Sequence, residues 1–192
     1  MADTKLVKSA GEHWTCAMLA RHGWAPALTR DGLERTDILA VGTHIPYRPT
    51  VEVQVKAATD PGRRVISWHL GRAVYAYAAS GHEWFVFVTL PETRLHPRAF
   101  VVPRDHVCAA TWLSHESWRT DPQAAPGKRN APVSQARVAA EVWAGYEDRW
   151  DLLGSETSEV PVLLPAWMHE RAAGDRVGLP EGHPWNDVLP QW

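Results

Sequence analysis

Residues 51–58 read VEVQVKAA, which opens with an unbroken alternation of apolar and polar side chains. Alternation with a period of two marks a strand with one apolar and one polar face. The polar face here carries Glu52, Gln54 and Lys56. Side chains two residues apart point the same way, so Gln54 and Lys56 stand roughly 6–7 Å apart along the strand. Asp37 sits at the start of another strand-like segment, TDILAVG at 36–42, and Glu12 lies in a helical segment at 5–22. If the two strands pair as neighbours, Asp37 approaches Gln54 and Lys56. The helix must pack on that sheet to bury Trp14 and Ala17, and it carries Glu12 with it. A helix acid, a strand acid and a strand acceptor two residues before a lysine suit metal-dependent phosphodiester hydrolysis. A divalent metal activates water and offsets developing charge. Mg2+ takes hard oxygen ligands, and a lysine beside it can orient the attacking water and stabilise the pentavalent phosphate. Plainer roles stand beside these: Glu52 and Lys56 as an exposed charge pair of little worth, Asp37 as a turn cap, Glu12 as a solvated helix residue.

The elements that must position this group follow from periodicity and punctuation. Val7, Ala10, Trp14, Ala17 and Met18 recur at helical spacing over 5–22, and His22-Gly23 supplies a helix stop. WAPALTR at 24–30 reads as a first strand, shortened by Pro26, and DGLER at 31–35 as a turn. TDILAVG is the second strand and TVEVQVKAA, 50–58, the third; two prolines in THIPYRP separate them. VISWHLG at 65–71 reads as a fourth strand, and RAVYAYAASG as a helical or irregular crossing. EWFVFVTL at 83–90 is the most apolar strand and belongs centrally. AFVVP at 99–103 is a short strand, followed by a helix at 104–113 and a loop at 120–132. The spacing in SQARVAAEVWAGYEDRWDLL predicts a further helix with Ser134 as its N-cap.

Bulk properties narrow the classes. A chain of 192 residues, 45% hydrophobic and 22% charged, carries enough apolar material for one sizeable core. Its apolar runs are too short to cross a bilayer, and the first 13 residues hold no signal-peptide stretch. Two cysteines, Cys16 and Cys108, imply no disulfide framework. A cytoplasmic, membrane-free protein is expected. No His-x3-His or Cys-x2-Cys pair, no Gly-x-Ser-x-Gly and no phosphate-binding glycine loop occurs, which removes several enzyme classes. The formal charge of −2 is unevenly spread: 18 basic and 15 acidic residues in 1–149 leave +3, while 2 and 7 in 150–192 leave −5. A mildly basic body permits nucleic-acid binding without requiring it.

In its motifs the chain resembles the PD-(D/E)XK nuclease superfamily, and most closely a small bacterial branch with a QxK variant. The matching positions are Gly11-Glu12 on the first helix, Asp37 on the second strand and Gln54-Val55-Lys56 on the third. Ser67-Trp68, the FVFV and FVVP strands and YEDRWDLL at 146–153 agree with it. The resemblance spans about residues 5–154. It implies an α/β fold, a mixed central β-sheet flanked by helices with a restriction-endonuclease-like core. It implies metal-dependent DNA cleavage with Asp37 as principal ligand, Glu12 and Gln54 supporting, Lys56 catalytic, and Mg2+, or Mn2+ in its place, as the ion. Two departures are Thr36 before Asp37, where proline is common, and the neutral Gln54 in place of an acid.

Lys128-Arg129 in the GKRN loop and Arg63-Arg64 are candidate phosphate contacts, with solvated loop positions as the alternative. Cutting both strands of a duplex takes two sites, so a homo-oligomer is an expectation. Residues 155–192, acidic, with five prolines and several tryptophans, read as an extension beyond a 1–154 nuclease-like domain. Val162, Leu163, Leu164, Trp167, Trp185 and Trp192 require burial, so the extension is expected to dock on the body or on a partner subunit. Two rival functions remain: a DNA-binding module that kept the fold and lost cleavage, and a protein-interaction or immunity-type protein.

Overall fold

In the computed structural model, which describes residues 4–29, 33–44, 46–62, 65–92 and 96–192, the chain opens with α1 (Thr4–Arg21). There follow β1 (Trp24–Leu28), β2 (Ile38–Gly42), β3 (Thr50–Asp60), β4 (Ser67–His69), β5 (Glu83–Pro91) and β6 (Arg98–Pro103). Then come α2 (Arg104–Arg119), β7 (Arg137–Ala139) and α3 (Ala166–Ala172), joined by short 3-10 turns. The fold is α/β, with a mixed five-stranded sheet flanked by helices. Among the described residues no helix is long and apolar enough to cross a membrane. Two compact units emerge, each assembled from three pieces of chain. The first takes 1–66, 78–103 and 146–160; the second takes 67–77, 104–145 and 161–192.

The first unit is built on the sheet β1-β2-β3-β5-β6. All its neighbours are antiparallel except β3 and β5, which run parallel from Glu52 opposite Glu83 to Asp60 opposite Pro91. Pro26 is tolerated because β1 is an edge strand paired only with β2. Along β3, Val51, Val53 and Val55 are buried while Glu52, Gln54 and Lys56 are half-buried. The apolar β5 lies inside the sheet between β3 and β6, and every residue from Glu83 to Thr89 is buried. α1 buries Gly11, Thr15 and Leu19, one residue per turn, and packs mainly on β3 and β1. Its expected stop is present: Gly23 takes φ +82°, and its N–H bonds to Ala20 O. Trp14 and His22 both pack against the Trp150 ring, at centroid distances of 6.2 and 5.6 Å.

In the second unit β4 and β7 form their own antiparallel pair, with Trp68 opposite Val138, and α2 packs against β7 and α3. The long helix expected from Ser134 is not formed. Residues 133–135 make a 3-10 turn whose N-cap is Pro132, 137–139 form β7, and 140–146 and 150–154 are 3-10 turns. Strand pairing supplies the competing partners: Leu70 N–H donates to Ala136 O, and the Arg137 guanidinium donates to Ser67 O and Oγ. A second break comes at Asp148, which has φ +53°, a left-handed value that no continuing helix contains. α2 is longer than the sequence spacing predicts, reaching Arg119, because His115 and Glu116 extend its buried face. Of the tryptophans, Trp24, Trp68, Trp84, Trp143 and Trp150 are buried, whereas Trp118 and Trp167 are exposed.

Candidate functional site

Gly11 sets the position of α1 on the sheet. A Cβ built there would stand 2.5 Å from the Ala57 Cβ, so glycine permits a closer approach of helix to strand than any other residue. The seat places Lys8 and Glu12, one turn apart, beside the start of β2. Asp37 is the residue before β2, and it carries the β2–β3 ladder one step further. Its N–H donates to Val53 O at 2.9 Å, and its Oδ2 accepts the Val55 N–H at 2.8 Å. That leaves Oδ1 facing α1. Lys8 Nζ lies 3.3 Å from Asp37 Oδ1 and 3.3 Å from Glu12 Oε1. Two carboxylates from different elements thus converge on one cation. The charge of Asp37, with further help from Glu12, raises the Lys8 pKa above its ordinary value against the opposing effect of burial. One turn on from Glu12, the Cys16 thiol is pushed up by burial and by the Glu12 charge.

The four residues singled out for catalysis do not share one face. Gly11 touches Ala57 and Val55, and alternation along β3 sends Gln54 and Lys56 to the opposite side. Asp37, held to the backbone of Val55 between them, sits at the junction. The structure joins Glu12 to Asp37 through Lys8 and leaves Gln54 and Lys56 across the strand. Glu52, on the same face as Gln54, accepts the Thr36 hydroxyl at 2.7 Å. A further acid, Glu83 at the start of β5, is buried and saturated. It accepts Arg35 Nη2 at 3.0 Å, the Ala79 N–H at 2.5 Å and the Ser80 N–H at 3.2 Å. Arg35 reaches it from a backbone with φ +70°.

The basic candidates fare differently. Arg129 is committed within its loop: Nη1 donates to Trp118 O at 2.9 Å and to Asp121 Oδ2 at 2.8 Å, and the guanidinium lies 5.9 Å from the Trp118 ring centroid. Lys128 is exposed. Arg63 and Arg64 lie outside the described residues.

Comparison with family models, with curated proteins and with solved structures gives no match. Among the described residues no group of three or more His, Cys, Asp or Glu side chains is placed to hold a metal. Glu12 and Asp37 are two. Mg2+ is ordinarily held through one or two carboxylates and several waters, so a pair of half-buried carboxylates around one cation position fits that ion. Neither Lys8 nor Glu83 is singled out by sequence reasoning. The signal for Lys8 is the four-residue spacing to Glu12 in KSAGE, which is common on helices and acquires meaning only when Asp37 joins it.

Proposed function

We propose that the chain is a metal-dependent DNA endonuclease that hydrolyses phosphodiester bonds, with Mg2+ held by Glu12 and Asp37. The observation that carries this reading is the convergence of these two carboxylates on one cation position, each 3.3 Å from the Lys8 ammonium. The mixed five-stranded sheet flanked by helices matches, at that coarse level, the architecture that the sequence motifs imply. Bound there, the ion would activate a water and offset charge on the phosphate. The chain's own residues supply the rest. Asp37 is fixed by Val55, so its other oxygen, the one facing Lys8, needs little reorganisation to act as a ligand. Gln54 and Lys56 lie across β3 from Glu12, so they act on a phosphate that is bound at Asp37, the junction of the two faces: Lys56 brings it a positive charge and Gln54 a neutral oxygen. In the second unit, taken by itself, Lys128 is an exposed cation suited to a phosphate contact.

One observation favours a second reading, a DNA-binding module without cleavage. Gln54 is an amide rather than an acid, and it lies with Lys56 across β3 from the α1 face. A plasmid-nicking assay with a Mg2+ titration separates the two. Under the first reading the wild type nicks only with metal, and Asp37→Asn and Lys56→Met each lower the rate at least ~100-fold, a loss of roughly 3 kcal/mol of transition-state stabilisation. The amide oxygen introduced by Asp37→Asn can still accept the Val55 N–H, so circular dichroism and the melting temperature should hold. Full nicking by either variant removes its residue from catalysis. DNA binding with no nicking at any metal concentration establishes the second reading.

A further inference from the structure

We propose that Lys8 is a built-in occupant of the metal position, an ammonium that must leave before Glu12 and Asp37 can bind a divalent cation. The inference rests on the metal-dependent reading above and specifies how that site is regulated. Three observations carry it. The ammonium is equidistant from the two acids, 3.3 Å from Asp37 Oδ1 and 3.3 Å from Glu12 Oε1. A cation serving two carboxylates from separate elements stands where a shared ligand ion would stand. The three partners also differ in freedom. The Lys8 side chain is 60% exposed, against 16% for Glu12 and 17% for Asp37. Asp37 is further pinned by the Val55 N–H. The acids are therefore the fixed part of the site and the lysine is the part able to swing out, on a flexible four-carbon stem.

Charge makes the exchange directional. With Lys8 in place the cluster sums to −1, and a divalent ion replacing the ammonium brings it to zero. Without either cation, two carboxylates face each other at short range, which destabilises the charged pair. Lys8 thus holds the acids in their ligand geometry while metal is scarce, and it sets the concentration at which metal enters. Exposed ion pairs are individually weak, so the competition amounts to about two- to tenfold in affinity rather than an absolute block.

The test needs no turnover. Mn2+ and Mg2+ binding to the full chain without DNA is measured by calorimetry for the wild type, Lys8→Met, Lys8→Arg and Asp37→Asn. Melting temperatures are taken with chelator and with saturating Mn2+. Methionine keeps the length and helix preference of lysine and removes the charge. The proposal expects Lys8→Met to bind either ion about two- to tenfold more tightly than wild type and to melt lower in chelator. It expects Lys8→Arg to stay at wild-type affinity and Asp37→Asn to lose the site. An ordinary structural salt bridge would leave affinity unchanged or weaken it on removal, so equal or weaker binding by Lys8→Met overturns the proposal while the metal-dependent reading stands. No binding by wild type but clear binding by Lys8→Met supports it in its strongest form. No binding by either, up to millimolar ion, overturns both.

Discussion

Asp37 serves structure with one carboxylate oxygen and charge with the other. Oδ2 completes the strand ladder at Val55 and Oδ1 faces Lys8. Residue types alone single out the acids and the lysine of the QxK strand as candidates. They did not reveal that the helix covers the opposite face of β3 from Lys56, because a helix acid carries no label for the side of the sheet it reaches. A residue with consequences of another kind is His106. It is buried and lies edge-on to Trp185, with ring centroids 5.0 Å apart, and burial, with help from the nearby His183, lowers its pKa to about 3. The folded state keeps it neutral, while the unfolded chain protonates near 6.5. Between those values the unfolded state binds more protons, so stability is complete above pH 6.5 and falls as pH falls. At about 1.4 kcal/mol per unit, the loss reaches about 2 kcal/mol by pH 5. His183, also lowered by burial, pushes in the same direction. Urea midpoints at pH 7 and pH 5 should therefore separate widely for wild type and less for His106→Gln. Equal separations would show that His106 does not carry the slope.

At the scale of elements, contact between α1 and β3 decides whether the acids meet. Gly11→Ala adds a methyl group 2.5 Å from the Ala57 Cβ. Alanine favours a helix over glycine by about 1 kcal/mol, but overpacking a tight contact costs typically 1–3 kcal/mol. A net destabilisation of roughly 0–2 kcal/mol is expected, with α1 displaced and, under the metal-dependent reading proposed above, metal binding weakened through Glu12. Ala57→Gly on its own should cost roughly 0.5–1 kcal/mol. The double variant should be more stable than the two losses added together, because the second change makes room for the first. Strict additivity in urea unfolding would mean that the two residues do not share the contact. The same scale shows why the first half of the fold was legible and the segment after Ser134 was not. In β3 the alternating pattern and the surrounding pairing agree. In 134–153, Ala136, Ala140 and Trp143 sit at helical spacing, yet Trp68 pairs across from Val138 and turns the backbone into β7. A partner 70 positions away in sequence outweighs a local periodicity, and nothing local announces it.

At the scale of the whole molecule, the chain passes five times between the two units, so neither unit is a continuous stretch that a truncation can isolate. Residues 161–192 belong to the second unit, and their side chains are tied to its other two pieces. His183 Nε2 donates to Asp105 O at 3.0 Å, while its Nδ1 accepts the Trp185 N–H at 3.1 Å, a pairing that fixes the tautomer. Tyr77 donates to Glu181 O at 2.6 Å, and the Trp192 indole N–H donates to Leu164 O at 3.0 Å. Val162, Leu164 and Met168 are buried in the same unit. Full burial of each such side chain is worth about 1.5–3 kcal/mol, so deleting 161–192 removes roughly 5–9 kcal/mol of favourable burial from this unit. That is comparable with the whole stability of an ordinary domain, about 5–15 kcal/mol. The deletion should therefore unfold the second unit rather than trim it. Hydrogen exchange along α2 should rise to unprotected rates, the near-ultraviolet signal of Trp143 should collapse, and a hydrophobic dye should bind. α1 and β3 lie in the other unit, and their exchange rates report whether that unit survives the loss. If α2 keeps its protection in the truncated chain, residues 161–192 are an ornament on the second unit and not part of its core.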